Sequence, residues 1–101
     1  MTRVIRDPQD LRLARRKIKL EVFAGPDADR EVVGQTAVLQ VGTQPGTTLQ
    51  LSDDAVSRIH LEISGTEAGI RLRDLGSTNG TWLLGGIRVT EALVPSGTAV
   101  R

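Results

Sequence analysis

The chain has 101 residues, no Cys or Tyr, one His, one Trp and one Phe, and 13 basic against 12 acidic groups for a net charge of +1. That length is one domain, the missing Cys removes disulfides and thiolate chemistry, and a single His cannot build a multi-His zinc site. No apolar run approaches the roughly 20 residues that cross a bilayer, and the Arg-bearing start lacks a secretory stretch, so a cytoplasmic chain without membrane contact is expected.

Residues 1–19 hold seven basic and two acidic groups, a local charge of +5, whereas the remainder carries −4. Residues 1–16 read as a flexible basic arm. Counterion release would suit such an arm to nucleic acid or acidic lipid, but a solvated tail accounts for it more simply, and no DNA contact is assigned. From Lys17 the pattern changes to short alternating segments. KIKLEV sets Ile18, Leu20 and Val22 against Lys17, Lys19 and Glu21, as a strand with one buried face requires. After the turn AGPDAD come REVVG and then TAVLQVG, from Thr36 to Gly42, bounded by the breaker-rich TQPGTT. LQL, HLEIS, GIRLRD, TWLL, GIRV and EALV complete the series. About ten short strands predict an all-β sandwich or barrel.

Catalytic chemistry finds little support. Ser57, His60 and Asp74 supply the residue types of a triad, but Ser57 stands in DDAVSRIH without the glycines of a nucleophile elbow. TQPGTT lacks the GK[ST] ending of a phosphate loop. Asp53 and Asp54 are adjacent, point apart and read as loop polarity. No catalytic residue, metal ligand or cofactor is assigned, and no enzyme is predicted.

Two stretches are more specific: VSRIHLEI, from Val56 to Ile63, and LRDLGSTNGTWLLGGIRV, from Leu72 to Val89. Together they resemble the forkhead-associated (FHA) domain, with Gly42, Ser57, His60, Asp74, Ser77, Asn79, Gly80 and Thr81 in family order. The resemblance covers residues 17–101. It implies a twisted β-sandwich of two mainly antiparallel sheets whose loops at one end bind phosphothreonine peptides. It further implies that Ser57 and Arg58 contact the phosphate, that Thr78 lies beside the phosphothreonine and that Asn79 holds the peptide backbone. Hydroxyl, guanidinium and amide groups are chemically suited to those tasks. Plainer roles stay open: Ser57 bonding within its loop, Arg58 pairing with Asp53 or Asp54, and Thr78 and Asn79 shaping the turn before Gly80. Gly42, His60, Asp74, Gly76 and Gly80 are assigned to architecture, and Trp82 to packing.

Thr43 stands where the family pattern has an arginine that reaches the phosphate, so either Arg58 carries more of the charge or the binding mode differs. GPDADREVVGQTAVLQVGT is similar to the openings of FHA domains attached to bacterial enhancer-binding (sigma-54-dependent) transcription activators, which implies a transcriptional regulator as parent. GTAVR reads as the penultimate family strand, so the final strand is expected to be missing, leaving an open edge and possible self-association. The expected function is non-enzymatic recognition of a phosphothreonine segment, in a partner or in the parent protein. The alternative is phosphate-independent interaction or oligomerisation.

Overall fold

Strand alternation puts one row of aliphatic side chains on the inner face of each sheet, and the turns between strands bring those rows together. The computed structural model describes residues 2–6, 18–34, 38–83 and 85–101. In chain order the strands are β1 (Thr2–Arg6), β2 (Ile18–Val22), β3 (Glu31–Val33), β4 (Val38–Gly42), β5 (Leu49–Gln50) and β6 (Leu61–Thr66). They continue as β7 (Gly69–Asp74), β8 (Thr81–Leu83), β9 (Ile87–Val89), β10 (Glu91–Val94) and β11 (Thr98–Val100). One sheet has the order β3-β2-β1-β11-β8-β9, the other β10-β7-β6-β4-β5. Every pairing is antiparallel except the short parallel contact of β4 with β5. The all-β sandwich expected from the sequence is therefore observed.

The period-2 reading holds in the longer strands β2, β4, β6 and β7. In β2, Ile18, Leu20 and Val22 are buried while Lys19 and Glu21 are half-exposed, and Lys19 bridges Glu21 and Glu31. Leu39 and Val41 of β4, Leu61 and Ile63 of β6, and Ile70 and Leu72 of β7 meet them from the second sheet in one aliphatic core. Burying such a side chain stabilises the fold by about 1.5–3 kcal/mol.

The N-terminal segment departs from expectation. Thr2–Arg6, read as part of a flexible arm, is a strand lying between β2 and β11. Its register pairs Thr2 with Val22 and Val100, and Val4 with Leu20 and Thr98. Val4 is fully buried in the core. Local composition weighted toward Arg concealed this, because one apolar anchor and a free ladder on each side suffice to dock a five-residue strand. The rest of the predicted arm, residue 1 and residues 7–16, lies outside the described residues. The same strand corrects a second expectation: the edge predicted to be open between the first sandwich strand and the penultimate one is occupied by β1.

The register also places the connections. Val41 pairs with Leu61, and Leu61 with Asp74, so the end of β4, the start of β6 and the end of β7 lie side by side. The connections 43–48, 51–60 and 75–80 thus emerge at one end of the sandwich.

Candidate functional site

At that end, Ser57, Arg58, Thr78 and Asn79 line one groove of about 650 Å3, together with Gln44, Asp54, Val56 and Ile59. The sequence separates the two pairs by about twenty positions, and side-chain contacts join them. Ser57 Oγ accepts the Thr78 N–H at 3.0 Å, and Asn79 Nδ2 donates to the Ala55 carbonyl at 2.8 Å. Both residues therefore brace the two loops as well as lining the groove. Arg58 is exposed, and none of the ion pairs among the described residues involves it. The pairing with Asp53 or Asp54 left open above does not form; Asp53 Oδ1 instead accepts the Ala55 N–H at 2.9 Å. A guanidinium in none of those pairs, beside hydroxyl and amide groups, suits an anion.

Thr43 is half-buried and is not among the groove-lining residues, which include Gln44. Thr43 N–H donates to the Ser57 carbonyl and Gln44 N–H to the Arg58 carbonyl, each at 3.1 Å. The backbone after Gly42 thus holds the Ser57-Arg58 segment like one more ladder rung. Gly42 is required at this crossing: a Cβ there would lie 2.0 Å from the Arg58 carbonyl oxygen.

His60 and Asp74 brace the loops from beneath. The buried His60 ring accepts the Ser57 N–H at Nδ1, 3.0 Å away, which puts its proton on Nε2, where it donates to the Gly80 carbonyl at 2.8 Å. Asp74 Oδ1 accepts the N–H groups of Gly76 and Ser77, and Oδ2 accepts the hydroxyls of Ser77 and Thr81 at 2.5 and 2.7 Å. Burial raises the tendency of this carboxyl to stay protonated, but the four donors outweigh it and hold its pKa at about 2. Gly80 has φ of +84°, and the Arg88 guanidinium fills the space its Cβ would take, 2.6 Å away at Nε. Arg88 also lies over the Trp82 ring at 5.8 Å, and Trp82 Nε1 donates to the Asn79 carbonyl at 2.9 Å.

His60→Ala would orphan the Ser57 N–H and the Gly80 carbonyl together and leave a void, so we expect a loss of about 2–4 kcal/mol of stability. Urea unfolding followed by Trp82 emission measures it, and an unchanged midpoint would refute the bracing role.

Sequence reading missed one brace. Asp27, in the turn AGPDAD, is 8% exposed and accepts the Ser52 N–H and hydroxyl, each at 2.8 Å. Those Ser52 bonds, assisted by Arg30, hold its carboxyl below the usual carboxylate range. Its partner is 25 positions away, and a Pro-Asp turn ordinarily reads as solvated, so no local signal marked it.

The model of the family described as FHA domain matches residues 39–101, more than half of the chain. This chain belongs to the FHA domain family. The FHA domain-containing protein FhaB of Mycobacterium tuberculosis (strain CDC 1551 / Oshkosh) is 41% identical over 61 residues, which cover 60% of this chain and 39% of FhaB. The chain thus spans well under half the length of that relative. Among solved structures, the FHA domain of CT664 protein from Chlamydia trachomatis superposes with a TM-score of 0.74 at 25% identity, covering 84% of this chain and 87% of the other. An FHA domain studied for phosphothreonine-dependent interactions superposes with a TM-score of 0.71 at 28% identity, covering 84% and 85%. The groove, the braces His60 and Asp74, and Gly42 and Gly80 of this FHA domain lie within the matched 39–101, whereas β1 to β3 and the brace Asp27 precede it.

Proposed function

We propose that this FHA domain is a recognition module for phosphothreonine-containing segments, without catalytic activity of its own. The observation that carries the reading is the exposed Arg58, in no ion pair among the described residues, in one groove with Ser57, Thr78 and Asn79. In this reading Arg58 and Ser57 meet the phosphate, Thr78 flanks the phosphothreonine, and the free carbonyl side of the Asn79 amide accepts from the peptide main chain. The similarity to a domain studied for phosphothreonine-dependent interactions supports it. The likeness of residues 25–43 to FHA domains of enhancer-binding activators supports a place in a bacterial transcriptional regulator. No helix among the described residues is long and apolar enough to cross a membrane.

The test is titration of the chain with a phosphothreonine peptide library and its unphosphorylated copy. Saturable binding is expected for the phosphorylated set alone. Arg58→Ala should weaken it by about 1.5–3 kcal/mol, roughly ten- to more than a hundredfold, because a charge-assisted bond is lost from an exposed side chain that is in no ion pair among the described residues. Equal affinity in the folded variant would remove Arg58 from the phosphate. Thr43, which offers no cation where the family pattern has arginine, favours a second reading as a phosphate-independent interaction or self-association surface. Equal binding of both peptide sets would select that one.

A further inference from the structure

The chain has a single asparagine, Asn79, and a glycine follows it. Asparagine before glycine is the pair most open to intramolecular attack, because glycine carries no Cβ to obstruct the approach of its own nitrogen to the neighbouring amide carbon. The reaction needs no enzyme, metal or oxidant. The Gly80 nitrogen gives up its proton to solvent base and bonds to Asn79 Cγ, and the Cγ–Nδ2 bond breaks as the amide nitrogen takes up a proton and leaves as ammonia. Water then opens the resulting succinimide ring at either carbonyl. One opening leaves aspartate; the other leaves isoaspartate, whose main chain runs through Cγ and is longer by one atom.

In the folded chain both reacting groups are held. Asn79 Nδ2 donates to the Ala55 carbonyl at 2.8 Å, which ties the side chain to the neighbouring loop, and the Gly80 N–H donates to Ser77 Oγ at 3.0 Å. Ser77 is itself anchored, since its hydroxyl proton goes to Asp74 Oδ2. The main chain is gripped as well: Trp82 Nε1 donates to the Asn79 carbonyl at 2.9 Å, and His60 Nε2 to the Gly80 carbonyl at 2.8 Å. Bringing Cγ onto the Gly80 nitrogen requires the Ala55 and Ser77 bonds to break together, so cyclisation proceeds from an opened loop and its rate follows the opened fraction. We infer that Asn79-Gly80 is a modification site of this domain, a succinimide-forming junction that Ala55, Ser77 and Trp82 hold unreactive, and whose conversion on loop opening ends anion recognition by the groove. The product lacks the Nδ2 donor that joins the two loops. It also sets a carboxylate in the groove that Arg58 lines, where it competes with phosphate for the guanidinium. That last consequence rests on the phosphopeptide reading; the gating does not.

The full chain would be incubated at mildly alkaline pH, folded and in guanidinium chloride. Conversion is followed by the mass gain and acidic charge shift of amide loss, with isoaspartate located by peptide mapping. Because Asn79 is the sole asparagine, a single site answers for the signal. Conversion should be at least about tenfold slower in the folded chain than in the unfolded one. Ser77→Ala and Trp82→Phe, each removing one hold on the junction, should speed it in the folded state by about two- to tenfold. Circular dichroism establishes that each variant is folded, and Trp82→Phe decides the point by itself if Ser77→Ala unfolds. Equal rates in the two states, or no conversion in denaturant, would overturn the assignment of the site. Folded variants that convert no faster than wild type would overturn the named holds. Converted protein, separated by ion exchange, should bind phosphothreonine peptide at least about tenfold more weakly than unconverted protein, and equal affinity would overturn the loss of recognition. If unconverted protein binds no phosphorylated peptide, the phosphopeptide reading fails while the gated conversion stands on its own rates.

Discussion

Asp74→Ala is expected to lower stability by about 3–5 kcal/mol, the largest loss for any single polar side chain of this domain. Four donors converge on this carboxylate: the Gly76 and Ser77 N–H groups and the Ser77 and Thr81 hydroxyls. Thr81 is 1% exposed and Ser77 9% exposed, so water cannot readily replace the lost acceptor. A hydrogen bond to a charged group contributes about 1.5–3 kcal/mol, but neighbouring bonds to one acceptor are not additive, which keeps the total below the sum. The loop 75–80 would lose its template, carrying Thr78 and Asn79 out of register with Ser57. Acid should act on the same interaction. The folded pKa of about 2 lies below the ordinary 3.8, so the stabilisation is fully present above about pH 4 and is lost as pH falls through about 2. The depression is worth roughly 2 kcal/mol by linkage. Denaturant midpoints for wild type and Asp74→Asn between pH 2 and 6 check this: the gap between the two curves should narrow on acidification. Parallel curves would show that another group carries the acid sensitivity.

Gly42→Val is expected to cost about 3 kcal/mol or more and to abolish phosphopeptide binding. The added Cβ would stand 2.0 Å from the Arg58 carbonyl oxygen and 2.8 Å from its carbon. Backbone atoms cannot swing aside as a flexible side chain does, so either β4 or the 57–60 segment must move. That movement breaks the Thr43 and Gln44 bonds to the Ser57 and Arg58 carbonyls. Gly46 offers the contrast within the same connection. It has φ of +95°, but nothing lies within 4 Å of where its Cβ would be, so Gly46→Ala meets only left-handed strain of about 1–2 kcal/mol. Steric exclusion at Gly42 should therefore outweigh conformational strain at Gly46 in paired unfolding curves. A Gly42→Val variant as stable as Gly46→Ala would mean that the crossing of β4 and the Arg58 segment is looser than described.

Much of the sandwich was legible in the chain itself. Alternation at Ile18, Leu20 and Val22, or at Ile70 and Leu72, is a local property that one buried face imposes on a strand, and the buried set follows it. Turn chemistry was equally local: the run from Asp74 to Thr81 encodes its own loop, since the acceptor and three of its four donors lie within three residues of one another. The candidate groove was legible through the order of Ser57, Arg58, Thr78 and Asn79. Their union in one place required the tertiary fold, because the Ser57–Thr78 and Ala55–Asn79 contacts span 21 and 24 positions.

The sequence by itself determined the all-β class, the inner face of the strands and the short-range loop network, because each depends on residues that are neighbours in the chain. Only the tertiary structure decided that Thr2–Arg6 is a strand, that Asp27 clasps Ser52 and that Arg58 enters no ion pair among the described residues. A five-residue strand with one buried valine acquires its ladder only when β2 and β11 stand on either side of it. A carboxylate in a turn becomes a brace only when a distant serine is brought against it. These are contacts between segments that meet in space alone, and no pattern within either segment carries their free energy.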